Sequence, residues 1–341
     1  MSPTGRGASA GSTPPTRRRR SPVARQRRPL YARVQGLTKG AATAQSTQAK
    51  SRAQFVRLPD GRALAYEDVG PRDGFPVMHF HGIPSSRLEV MWEADSCATN
   101  GVRVICPDRP GFGLSDHLPG RSLLDWPADV AALADALELE RFGVVGVSGG
   151  GPYALACALA MPESLSGVAL VSSLGRLDRE GDLDGVAPLH GLAFRYARTR
   201  PWLARLVLSA SLAIAARSPG LMLKVQDCPA DLEALRGAAP EIATLEFLVE
   251  SVRRGVEGPL RDGWILAGPW GFEPEQVDVP VHLWHGDADP TVPLRHAEEL
   301  ASRLPRAHLC VCPAEGHMLF ARHLDEIMQA ATGGRGEVLE G

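Results

Sequence analysis

Gly146-Val147-Ser148-Gly149-Gly150 sets one serine between two glycines, directly after the apolar pair Val144-Val145. A hydroxyl held there can do nucleophilic chemistry. If the apolar run is the end of a buried strand and the Ala- and Leu-rich run Gly149 to Met161 is a helix, Ser148 sits on a tight, strained turn that pushes its hydroxyl outward. Gly146 and Gly150 carry no Cβ to collide with neighbouring backbone at such a turn. The helix then aims its free N–H groups and its positive dipole end at the same place, so nucleophile and part of an anion site coincide. Five small residues alone are a weak pattern that also falls in ordinary loops; the flanking strand and helix give it weight.

A serine hydroxyl is a poor nucleophile at neutral pH. It needs a histidine to take its proton and a carboxylate to hold that histidine in the right tautomer. Both partners must come from other loops at the same edge of the fold. Two acids, Asp287 and Asp289, follow the apolar run Val281 to Trp284 in His285-Gly-Asp287-Ala-Asp289. After the run His308 to Val311 stands Pro313-Ala-Glu315-Gly316-His317. Ten histidines compete for the base. His79, His282 and His308 lie inside expected strands, His285 is next to Gly286, and His296 and His323 fall on expected helices. His317 comes off the last strand, follows both acids, and has a glycine beside it that leaves the imidazole room to reach across.

The elements that must position these groups are legible. Phe55 to Leu58, Pro59-Asp60-Gly61 and Ala63 to Tyr66 read as an antiparallel hairpin. Short apolar strands at Val77 to Phe80, Val102 to Ile105, Phe142 to Val147, Leu165 to Val171, Val281 to Trp284 and His308 to Val311 then alternate with helical stretches near 89–100, 123–137, 149–161, 293–303 and 319–330. That alternation predicts an α/β fold, a mostly parallel sheet covered by helices on both faces. Between Leu174 and Phe272 the pattern is helical, with segments 189–197, 202–216, 229–235 and 239–255, which reads as an insertion over the sheet's carboxyl edge, where ligands bind in open parallel sheets. The chain thus divides into a basic tail (1–50), a first core part (51–173), a helical lid (174–272), a second core part (273–331) and a flexible C-terminus (332–341).

The order Ser, Asp, His, each just past a strand, resembles the α/β-hydrolase fold family over nearly all of residues 55–331. The resemblance includes His81-Gly82-Ile-Pro-Ser-Ser-Arg87, Asp108-Arg-Pro-Gly-Phe-Gly-Leu-Ser-Asp116, Gly286-Asp-Ala-Asp289 and Gly316-His317. It implies a twisted sheet of about eight strands with a helical lid. It also selects Asp289, through the family's G-x-x-D pattern read from Gly286, leaving Asp287 as a residue that hydrogen-bonds the turn. The triad implied is Ser148, Asp289 and His317, with oxyanion-hole N–H groups from Ile83 and Gly149. His81 is expected to be structural. Asp108 and Arg109 either orient the pocket loop through ion pairs or form a turn that packs Phe112 into the core; the second reading is preferred here.

Such a triad implies acyl transfer with a covalent acyl-Ser148. A serine at the elbow departs from the dehalogenase and epoxide-hydrolase branches, which use Asp, and Gly149 stands where the proline-peptidase branch has Trp. The strings at His81 to Arg87 and Pro269-Trp270-Gly271-Phe272 are similar to a group of uncharacterised bacterial hydrolases and plant relatives, which implies no substrate. Trp202, Phe247, Trp264, Trp270, Phe272 and the lid leucines fit either an apolar pocket or, for most of them, core packing. The expected substrate is a small to medium apolar carboxylic ester, with no cofactor and no metal. C–C bond hydrolysis, peroxyacid formation and non-catalytic binding of a small ligand are the alternatives on the same fold.

Composition sets the remaining bounds. Of 37 Lys and Arg residues, 13 precede Asp60, where no acidic residue occurs, so the remaining 24 face all 39 Asp and Glu and the body is acidic. Residues 1–50 hold almost no large apolar side chains and are expected to be disordered. A nucleic-acid or acidic-surface binding arm, an organellar transit segment and a functionless extension compete as readings of this tail; the last is preferred, and no nucleic-acid partner is expected for the folded body. No apolar stretch of about 18 residues argues for a membrane span. Six cysteines, Cys97, Cys106, Cys157, Cys228, Cys310 and Cys312, show no C-x-x-C and suit buried thiols in a reducing cytoplasm, without support for zinc.

Overall fold

Eight strands form one sheet in the order β1-β2-β4-β3-β5-β6-β7-β8. The computed structural model describes residues 53–92, 97, 100–217, 228–237 and 246–334. The expectations for the tail 1–50 and for most of 332–341 lie outside the described residues. β1 (Gln54–Arg57) pairs antiparallel with β2 (Ala63–Val69), which pairs antiparallel with β4 (Val102–Pro107). Every other pairing is parallel and joins β4 to β3 (Phe75–Phe80), then β5 (Phe142–Val147), β6 (Leu165–Val171), β7 (Val281–Gly286) and β8 (Ala307–Cys312). The first turn is the expected one: Gly61 takes φ 88° and donates to Leu58 O at 2.9 Å.

The central strands carry near-continuous apolar runs because both faces are covered. On one face Met78, Phe80, Val144 and Leu170 pack with Trp126 and Val130 of α1 (Trp126–Ala136) and with Tyr153, Leu155 and Ala156 of α2 (Gly151–Ala160). Facing the other way, Val77, Val104, Val145 and Ala169 meet Ile327, Met328 and Ala331 of the last helix, Leu324–Ala331.

Strand order decides where the site lies. The chain steps from β3 to β4 on one side and returns to β5 on the other, so β3 is flanked by both, with Phe80 opposite Gly146. The loops leaving the carboxyl ends of β3 and β5 therefore diverge around a crevice. His81-Gly82-Ile83 and Ser148 stand on those two loops.

Among the described residues five helices lie between β6 and β7: α3 (Pro188–Ala197), α4 (Pro201–Arg217), α5 (Pro229–Gly237), α6 (Glu246–Glu250) and α7 (Glu257–Leu266). The first three begin with proline, whose fixed φ and missing N–H cost nothing in a first turn. No strand occurs in this stretch among the described residues. Trp202 is 65% exposed on α4 and serves neither pocket nor core, contrary to expectation, whereas Trp270 and Phe272 are buried. The segment expected to be helical near 89–100 opens as a 3-10 turn over Arg87–Trp92, and Cys97 is helical. Beyond β7 come α8 (Arg295–Arg303) and, after β8, a single turn Leu319–Ala321 before α9 (Leu324–Ala331). No helix among the described residues is long and apolar enough to cross a membrane.

Candidate active site

Ser148 follows β5 directly and adopts φ 51°, the left-handed region. A non-glycine residue there costs on the order of 1–3 kcal/mol and is held only by its surroundings. Those surroundings explain the glycines. A Cβ on Gly146 would stand 2.8 Å from Gly150 O, and one on Gly150 would stand 2.0 Å from Phe80 O, so each position admits only a hydrogen. One 3-10 turn, Ser148–Gly150, leads into α2, whose Pro152 is tolerated in its first turn. The β3 loop is equally close: a Cβ on Gly149 would lie 2.4 Å from Ile83 Cγ2 and 3.4 Å from Ile83 N. The two backbone segments expected to form the oxyanion hole are thus in contact.

His317 Nδ1 lies 2.7 Å from Asp289 Oδ2, and Ser148 and His317 line the same cavity. Asp289 Oδ1 accepts from Thr291 N at 2.8 Å and Val292 N at 2.9 Å, which orients the carboxylate. Burial penalises its charge, yet the neighbouring His317, His285 and these N–H groups outweigh that penalty and hold its carboxyl below the usual range. For His317 burial again opposes the charge, and Asp289, then Asp231 and Glu89, raise the imidazole above its ordinary value. Asp287 points elsewhere: its Oδ1 accepts from Ala314 N at 2.7 Å, fixing the φ 59° turn ahead of His317. The two loops interlock, since a Cβ on Gly286 would meet Glu315 O at 2.1 Å.

Asp108 and Arg109 take the reading that was not preferred. Phe112 is indeed buried, but Arg109 is fully buried as well and grips the β3 loop, donating to His81 O and, at 2.9 Å, to Gly82 O. Its Nε is paired with Asp262 of α7 at 2.7 Å. Asp108 accepts from Arg87 N at 2.7 Å and Arg87 NH1 at 2.9 Å, bracing the same loop. Sequence spacing could not expose this, because the partners of the Arg109 side chain are two backbone carbonyls and a residue 153 positions away. His81 is structural: its Nε2 accepts from Arg109 N at 3.2 Å, so the proton resides on Nδ1, facing Gly82 O at 2.9 Å. Burial, then the Arg109 charge, keeps that ring neutral.

Three further polar groups reach the site without any sequence signal. Glu89 Oε2 accepts from Gly82 N at 3.0 Å, and its Oε1 lies 3.0 Å from His79 Nε2. Asp231, at the start of α5, accepts from Met318 N at 2.8 Å; only a glycine at 316 lets it approach, since a Cβ there would be 2.3 Å from Asp231 Oδ1. His190 enters from α3, and burial, then the charge of His317, pushes its imidazole down to about 4. These line or border a cavity of about 390 Å³ walled mainly by Leu189, Leu208, Leu212, Ala215, Phe247 and Leu248.

A sequence model described as alpha/beta hydrolase fold matches residues 76–220, and the sheet order and elbow carry the same architecture through residue 331. The chain has the α/β-hydrolase fold. The chain is 40% identical over 123 residues to the non-heme chloroperoxidase of Streptomyces lividans, a match covering 35% of this chain and 44% of that protein. It is 25% identical over 287 residues to the uncharacterised hydrolase YcgS of Bacillus subtilis, covering 80% and 93%. The chain thus spans less than half of the first relative and nearly all of the second. Among solved structures, a hydrolase from Pseudomonas aeruginosa aligns with TM-score 0.61 at 20% identity, covering 84% of this chain and 100% of that one. An esterase from Exiguobacterium antarcticum aligns with TM-score 0.58 at 21% identity, covering 82% and 97%. These likenesses show the fold.

Proposed function

We propose that this hydrolase cleaves small to medium, uncharged carboxylic esters through an acyl-enzyme on Ser148. The observation that carries the reading is the 2.7 Å contact of His317 Nδ1 with an oriented, ionised Asp289, in a cavity that also holds the strained Ser148. His317 Nε2 takes the serine proton as Oγ attacks the ester carbonyl; the imidazolium so formed is stabilised by Asp289. The developing oxyanion is received by the N–H groups of Ile83 and Gly149, each worth on the order of 3 kcal/mol in the barrier. Alcohol leaves with the proton from His317. Water, deprotonated by the same ring, then releases the acid and restores Ser148.

The wall chemistry supports an uncharged substrate. Among the described residues no Arg or Lys lines the cavity, and the carboxylate of Glu89 does. A carboxylate-bearing substrate, of the kind named for the 2-hydroxy-6-oxo-2,4-heptadienoate hydrolase of Pseudomonas putida, 39% identical over 122 residues, would lose its hydration there without a counter-charge. We read the helices within 174–272 as the lid that supplies the apolar wall. A second reading, transfer of the acyl group to hydrogen peroxide in place of water, is favoured by the similarity to the chloroperoxidase.

The test is turnover of a p-nitrophenyl ester series and labelling by a fluorophosphonate, with Ser148→Ala alongside. Labelling and hydrolysis that vanish in Ser148→Ala are expected; a folded wild type that does neither refutes the reading. Peroxyacid formation in added peroxide that outpaces hydrolysis would favour the second reading.

A further inference from the structure

Cys312, Glu315 and His323 were separate features in the sequence: a strand thiol, a loop acid and a helix histidine. Folding brings them together. Sγ of Cys312, a carboxylate oxygen of Glu315 and a ring nitrogen of His323 all lie within 4.8 Å of one another. Glu315 Oε2 and His323 Nε2 are 3.2 Å apart. Two ligands each about 2.1 Å from a zinc ion at the tetrahedral angle stand about 3.4 Å apart, so this separation needs almost no adjustment.

The surroundings fit as well. His323 Nδ1 lies 3.4 Å from Glu326 Oε2, so the ring is held on its far side by a carboxylate, as metal-ligating imidazoles are. The set is half-sheltered: Cys312 is buried, and the side chains of Glu315 and His323 are 16% and 22% exposed. Among the described residues, the cation approaching this set is Arg322, with NH1 3.8 Å from Glu315 Oε1, and its NH2 is engaged with Glu233 at 2.9 Å. A thiolate and a carboxylate together neutralise a divalent ion. A sulfur, an imidazole and one carboxylate select zinc over magnesium or calcium, which take oxygen ligands.

We propose that Cys312, Glu315 and His323 form a zinc-binding site at the base of the loop that presents His317, with water in the fourth position. On binding, the Cys312 S–H proton is released to solvent and a Zn–S bond takes its place. The site would tie the end of β8 to the segment entering α9. Glu315 also accepts from Ala288 N through its backbone oxygen at 3.0 Å, so the acid loop is fastened to the same point.

Zinc titration of the full chain, kept reduced, tests this by calorimetry, with cobalt as the spectroscopic probe. One equivalent of zinc is expected, with a thiolate-to-cobalt charge-transfer band. Cys312→Ser and His323→Ala should each weaken binding at least about 100-fold, and Glu326→Gln about 10-fold. Zinc at about a hundred times its Kd should raise the melting temperature by on the order of 5 °C, a gain lost in both ligand variants. The stacked pair His282 and His308, centroids 4.8 Å apart, is the rival; His282→Ala should bind zinc as the wild type does. His323 is the more exposed ligand, so its variant keeps the test sound if Cys312→Ser misfolds. Absence of stoichiometric binding, binding unchanged in His323→Ala, or binding lost in His282→Ala would overturn the proposal.

Discussion

Replacing Asp289 by Asn changes one charge and almost no volume. The amide oxygen can keep the bonds from Thr291 N and Val292 N, which are 2.8 and 2.9 Å long and together fix which atom faces them. The amide nitrogen then occupies the Oδ2 position, 2.7 Å from His317 Nδ1, and offers it a proton where the carboxylate accepted one. Nδ1 must become an acceptor, so the ring proton moves to Nε2 and the base can no longer receive the proton of Ser148. Loss of the charge also withdraws the largest influence raising the imidazole. A wrong tautomer in such a triad costs about 10⁴ in kcat, or about 5.4 kcal/mol of barrier. The assay is steady-state hydrolysis of p-nitrophenyl butyrate, with KM read separately, because the cavity walls are untouched and KM should move little. Asp287→Asn, which keeps an acceptor for Ala314 N, should stay within a few-fold of wild type. The reasoning fails if Asp289→Asn retains more than a tenth of wild-type kcat, or if Asp287→Asn is the variant that abolishes it.

The base must be neutral to act and its folded value is raised, so kcat/KM should be lost as pH falls through a midpoint above the ordinary histidine value of 6.5. Asp231→Asn removes one of the charges responsible and should move that limb to lower pH; a limb that stays in place or moves up would count against the assignment. Gly149→Ala puts a Cβ 2.4 Å from Ile83 Cγ2 and must part the two oxyanion-hole segments; kcat should fall by about 10²–10³ while fluorophosphonate-reactive Ser148 survives at reduced rate. Arg109→Met leaves Asp262 with Arg121 and Tyr153 but strips the β3 carbonyls of their donor, and denaturant unfolding should show about 3–5 kcal/mol of lost stability. A loss below 1 kcal/mol would mean that water replaces the guanidinium.

Local covalent demands were written plainly in the chain. Gly146 and Gly150 specify an elbow around Ser148 because a Cβ at either would come within 2.0–2.8 Å of neighbouring backbone. Apolar runs of strand length separated by helical ones prescribe a parallel sheet, and the order Ser148, Asp289, His317 follows from where those strands end. What tertiary structure alone decided is the direction of side chains and the arrival of distant ones. Asp287 and Asp289 are two residues apart and indistinguishable as carboxylates; the G-x-x-D resemblance pointed to Asp289, and the packing of their loop is what physically turns it toward His317 and Asp287 toward Ala314. Arg109 looked like part of a turn until its partners, the β3 carbonyls and Asp262, were in view. Glu89, Asp231 and His190 reach the cavity from segments whose docking depends on the summed packing of the whole molecule, as does the meeting of Cys312 with His323. Dihedral strain and periodicity are short-range and leave their mark in consecutive residues; charge pairing and ligand geometry are long-range, and no spacing along the chain encodes them.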